Sequence, residues 1–106
     1  MNKFKFNNNT EQLFKAILSL KNIKEAEKFF RDLCTIEEIS AMSERWRIVL
    51  LLSEGVSYRK ISKITGSSTT TIGRVATWLN NGKGGYQLVL LRATSHYNSS
   101  KIFRKG

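Results

Sequence analysis

The chain of 106 residues has the size of one domain with a small core, and its 41% hydrophobic content excludes a globally disordered chain. The absence of proline favours helices, and a single cysteine, Cys34, excludes an internal disulfide and fits a reducing, cytoplasmic setting. The net charge of +10 is uneven: all eight acids (Glu11, Glu25, Glu27, Asp32, Glu37, Glu38, Glu44 and Glu54) precede Gly55, so the half from Gly55 onward carries +9, the footprint of a polyanion-binding half joined to a neutral assembly half.

Residues 1–9 read as a flexible, Asn-rich N-terminus. Lys3 and Lys5 are not followed by an apolar run long enough for a signal peptide. The longest apolar run, Ile48–Leu52, is far short of a membrane span, so a soluble protein with no membrane partner is expected.

Residues 10–56 read as a helical scaffold whose aromatics are core or dimer contacts, and the family resemblance given below makes it a dimerisation scaffold. Thr10–Leu20 is amphipathic through Leu13, Phe14, Ile17, Leu18 and Leu20, and Ile23–Leu33 through Ile23, Ala26, Phe29, Phe30 and Leu33. Cys34 reads as a small buried apolar residue. Thr35 and Glu38 have capping-box spacing and start a short helix through Ile39 and Met42. Ser43 offers a second start, leading into an apolar helix over Trp46–Leu52 that Gly55 ends.

Residues 57–79 have the spacing of a helix-turn-helix. Ser57 caps a short helix, Tyr58–Thr65, with Ile61 and Ile64 on its inner face. Gly66 stands where the turn needs positive φ, and Ser67 and Ser68 offer the cap of a second helix with Ile72, Val75 and Leu79 inward. The outer face of that second helix is Ser68, Thr69, Thr70, Thr71, Gly73, Arg74 and Thr77, with no acid among them. Serine and threonine are poor helix formers, so helix stability does not explain the run. Small hydroxyls do let a helix enter the major groove and meet phosphates, base edges and thymine methyls. With Arg59, Lys60 and Lys63 on the first helix and Lys83 beyond the second, the expected partner is double-stranded DNA. The expected DNA-binding set is Ser57, Tyr58, Arg59, Lys60, Lys63, Ser67, Ser68, Thr69, Thr70, Thr71, Gly73, Arg74, Thr77 and Lys83.

Asn80–Gly85 is a terminator and loop. Residues 86–93 read as a last helix or a strand, which periodicity does not decide. Residues 94–106 read as a basic tail, with Lys101, Arg104 and Lys105 as loose phosphate contacts. Catalysis is not expected: the only histidine, His96, lies in that tail, and no paired carboxylates, metal-ligand spacing or P-loop stands in the chain.

The stretch from Leu13 to Leu91 resembles the Trp-repressor superfamily, specifically its TrpR-like YerC/YecD branch. Four motifs carry the resemblance: Thr35-Ile-Glu-Glu, Ser43-Glu-Arg-Trp-Arg-Ile-Val, Glu54-Gly-Val-Ser-Tyr-Arg-Lys-Ile and Thr70-Thr-Thr-Ile-Gly-Arg-Val. It implies an all-α, six-helix domain and an intertwined homodimer with two reading heads on a palindromic operator. It also implies that Arg59 reads a base directly. Thr35, Arg45 and Arg74 match positions that hold the amino-acid corepressor in Trp repressors. Val75 and Trp78 stand where the family has glycine and serine against the ligand, so the five read as a vestigial pocket and L-tryptophan is not expected to bind. The resulting expectation is a transcriptional repressor with no cofactor. A dimeric adaptor whose basic half holds an acidic partner is the alternative.

Overall fold

The computed structural model describes the backbone of residues 4–101 and the side chains of residues 4–93. Among the described residues the elements are six α-helices, with no strand: α1 (Asn8–Leu18), α2 (Ile23–Leu33), α3 (Ile36–Ser53), α4 (Tyr58–Thr65), α5 (Thr69–Asn81) and α6 (Gly85–Lys101). The chain divides into two compact units, residues 1–40 and 41–106.

In the first unit α1 begins earlier than the expected Thr10. Asn7 is its N-cap, accepting from the Thr10 amide at 3.0 Å while the Thr10 hydroxyl accepts from the Asn7 amide at 3.4 Å. The flexible terminus expected through residue 9 is therefore corrected. The asparagines that suggest disorder by composition include a good N-cap residue, with a threonine three places on to close the box. Asn22 caps α2 by accepting from the Glu25 amide at 2.9 Å, and the Glu25 carboxylate accepts from the Lys21 amide at 2.9 Å. Cys34 is the residue after α2, half-buried and extended, rather than a helical core position. The Thr35–Glu38 capping box forms as its spacing predicts, with the Thr35 amide donating to Glu38 at 2.9 Å and the Glu38 amide donating to Thr35 at 3.0 Å. Neither α1 nor α2 has a buried residue. Leu18 and Ile23 are 82% and 77% exposed, although both helices are amphipathic.

The two helices expected over 35–52 are one, α3. Between Ile36 and Ser53 there is no glycine or proline, and Glu44, Arg45 and Arg47 propagate a helix, so Ser43 starts nothing. In the second unit Ile48 and Val49 of α3, Ile61 of α4, and Ile72 and Val75 of α5 form the fully buried core. Trp46, Leu52, Val56, Leu79, Tyr86 and Leu90 pack around it. The Trp46 and Tyr86 rings stand 6.1 Å apart. Ile64, expected inward, is 41% exposed: three residues from the fully buried Ile61, it is turned about 60° round the helix, to the edge of the covered face.

The last segment is a helix, which resolves the open choice at 86–93, and it continues through Lys101 past the expected start of the tail. No proline or glycine follows Gly85 until Gly106, so nothing in the local chemistry stops the helix at Ala93. Arg104 and Lys105, and the side chain of Lys101, lie outside the described residues. Between α5 and α6, Gly84 has φ +87°, and a Cβ at Gly82 would collide with the Trp78 carbonyl, so both glycines are required by the bend. Across this bend the Gln87 side-chain amide donates to the Leu79 carbonyl at 2.8 Å, satisfying an open acceptor near the end of α5.

Candidate nucleic-acid interface

The packed pair α4–α5 is fixed by caps and by a turn held with hydroxyls. Ser57 caps α4 by accepting from the Lys60 amide at 3.2 Å. Gly66 ends α4 at φ +81°, with its amide donating to the Ser62 carbonyl at 2.8 Å. The left-handed φ is the reason for glycine at this position. Three bonds then close the turn. The Ser62 hydroxyl donates to the Ser67 carbonyl at 2.7 Å, the Thr65 hydroxyl donates to the Ile61 carbonyl at 2.8 Å, and the Ser67 amide donates to the Thr65 hydroxyl at 3.1 Å. Ser68 caps α5 by accepting from the Thr71 amide at 3.1 Å.

This geometry divides the sequence-named residues by task. Ser67 is half-buried and belongs to the turn, while the Ser68 and Thr71 hydroxyls bond each other at 3.1 Å as part of the cap. Thr77 donates its hydroxyl back to the Gly73 carbonyl at 3.0 Å. Thr69 and Thr70 are exposed on the first turn of α5, and among the described residues no hydrogen bond engages their hydroxyls. Arg74 is exposed one turn further along, and Arg59, Lys60 and Lys63 are exposed on α4, with Ser57 and Tyr58 at its start. Lys83 is exposed in the loop after α5. The Tyr58 ring lies against α5 at Gly73, a contact that no local sequence pattern signals. The two residues are distant in sequence, so only the crossing of α4 and α5 brings them together.

Electrostatically this face is uniform. Neither helix contains an acid, and among the described residues the ion pair present is Lys15–Glu11, at 3.5 Å, in the other unit. Cations without carboxylate partners, together with the exposed amides at the start of α5, suit phosphate, and the hydroxyls between them suit phosphate or base edges.

The five pocket residues are drawn from both units. Thr35 lies in the first unit and its hydroxyl is spent on the α3 cap. In the second unit Arg45 and Arg74 are exposed, Trp78 is 47% exposed, and Val75 is 1% exposed within the core. Valine at that position thus fills packing space in its own unit. Among the described residues no cluster of three or more His, Cys, Asp or Glu stands in metal-binding proximity, and no helix is long and apolar enough to cross a membrane.

Comparisons with known proteins agree with this architecture. The family described as Trp repressor protein matches residues 8–94. The chain is 45% identical over 93 residues to the protein YerC of Bacillus subtilis (strain 168), covering 86% of this chain and 89% of YerC. Its fold is similar to the solved structure of a TrpR like protein from Eubacterium eligens, with a TM-score of 0.80 and 46% identity, covering 83% of this chain and 91% of that one. A solved structure from Staphylococcus aureus is similar at a TM-score of 0.79 and 37% identity, covering 84% of this chain and 89% of that one.

Proposed function

Because the chain belongs to the Trp repressor protein family, we propose that it is a sequence-specific DNA-binding transcriptional regulator that represses by occupying its operator as a homodimer. The family supports a DNA-binding regulator in general. The observation that carries the specific reading is the α4–α5 face, which joins unpaired cations to small hydroxyls and has no acid. Phosphate contacts supply affinity and orientation, while Arg59 and the exposed threonines of α5 supply base discrimination. This reading carries a cytoplasmic location with it.

The homodimer rests on the first unit. Two amphipathic helices without a buried residue have an apolar face that water disfavours, and a second copy of the same unit covers it in the simplest symmetric assembly. Sedimentation equilibrium of the full chain at micromolar concentration is expected to give a dimer mass, and a monomer mass would remove this part of the reading. Two heads related by a two-fold axis read half-sites about one helical turn apart (~34 Å), the general helix-turn-helix docking geometry of which Trp repressor is itself an example.

The regulator does not answer to tryptophan in this reading. Val75 is committed to the core and Trp78 is a bulky side chain where the resemblance calls for a small one. The test is selection of bound duplexes from a random pool, with and without L-tryptophan. The expected result is one enriched pseudo-palindrome, the same in both arms. Failure to enrich any motif would favour an adaptor with an acidic partner, and a motif that appears only with tryptophan would restore the corepressor.

Arg59 has its own expected result. Its side chain is exposed on the first turn of α4 and among the described residues has no ion-pair partner. Arg59→Ala should therefore leave the fold intact and weaken operator binding by about 1–3 kcal/mol. Binding to operators changed at a single base pair should identify one position where discrimination is lost. Equal weakening on every duplex would assign Arg59 to the phosphate backbone instead.

A further inference from the structure

α5 has a glycine in its interior, five residues after the cap and well before the bend, where glycine destabilises a helix relative to alanine. At Gly55, Gly66 and Gly84 a positive φ explains the residue, and at Gly82 a collision with the Trp78 carbonyl explains it. Neither reason applies at Gly73. Its backbone is helical, and a Cβ built there would meet only Tyr58 Cε2, at 3.8 Å, an ordinary van der Waals contact. Alanine therefore fits both the backbone and the packing of this chain. The missing side chain leaves α5 with an indentation, bordered by the Tyr58 ring and by Thr69, Thr70 and Thr77 at helical spacing from Gly73.

We propose that Gly73 is a specificity-determining position, the point where the backbone of α5 comes into van der Waals contact with base edges of the DNA. This rests on the DNA-binding reading above. A phosphate is the poorer occupant, because Gly73 lies beyond the first turn, where amide hydrogens are already used within the helix. What glycine offers is room, and an apolar base edge such as a thymine methyl is the group that uses room without needing a donor. The hydroxyls of Thr69 and Thr70, one turn earlier, then stand beside the same base pair or its neighbour.

The test is Gly73→Ala in the full chain, read by thermal unfolding and by binding to two duplexes: the one selected by the unaltered protein, and a random sequence. The unfolding midpoint should rise by a few degrees. Affinity for the selected duplex should fall at least tenfold, and affinity for the random duplex should change by less than twofold. A lower midpoint, or failure to fold, would show that glycine serves the packing of the chain and would overturn the proposal. So would unchanged affinity for the selected duplex, or an equal loss on both. If the unaltered protein selects no duplex, the DNA-binding reading itself fails, and that outcome is distinct from all of these.

Discussion

Binding to the selected duplex should weaken about a thousandfold or more when salt is raised from 50 to 200 mM. The magnitude follows from the number of phosphates each protomer reaches. Arg59, Lys60 and Lys63 are exposed on α4, and Arg74 and Lys83 lie on or after α5. Three phosphate contacts per protomer make six per dimer, and each releases condensed counterions that salt restores. No carboxylate follows Glu54, so nothing in the basic half competes for these cations or cancels their field. A plot of log affinity against log salt, measured by fluorescence anisotropy, should be linear with a slope of about −5 or steeper. Lys60→Gln should flatten it by about one unit per protomer while leaving base preference unchanged. A slope near zero would mean that these lysines and arginines do not touch phosphate, and the electrostatic half of the functional reading would fall with it.

The local chemistry of the α4–α5 pair was legible in the sequence because each part of it is set by neighbours in the chain. Ser57 and Ser68 stand immediately before their helices, Thr35 stands three places from Glu38, and Gly66 sits at the only point where the turn needs a left-handed residue. Those are bonds over three or four residues, and spacing alone specifies them. The errors lie where competition or distance decides. Ser43 has the same credentials as Ser57, but it competes with a helix already propagating from Thr35, and the helix prevails. Asn7 lies in a stretch whose composition suggests disorder, yet its position relative to Thr10 starts α1. The Tyr58–Gly73 contact joins two helices, and the Gln87–Leu79 bond spans a glycine bend, so no local pattern announces either. The amphipathicity of α1 and α2 is legible in their spacing, but what covers their apolar faces is not, because neither helix has a buried residue within the chain.

Ile72→Ala should be among the most damaging single changes in the chain, costing about 2–5 kcal/mol of stability. Ile72 is 0% exposed and joins Ile61, Ile48, Val49 and Val75 in the fully buried core. With so few fully buried side chains, the deletion removes a large share of the apolar contact that holds α5 against α4, and the surrounding helices collapse only partly into the cavity. Domains of this size are stable by only about 5–15 kcal/mol, so the variant should lose much of its margin. Ile64→Ala is the informative companion. Periodicity places Ile64 on the same inner face as Ile61, but it is 41% exposed, so its removal should cost under about 1 kcal/mol. Urea denaturation with the slope unchanged distinguishes the two. Comparable losses would mean that Ile64 is covered by something outside this chain, and α4 would then carry an assembly contact as well as its exposed cations.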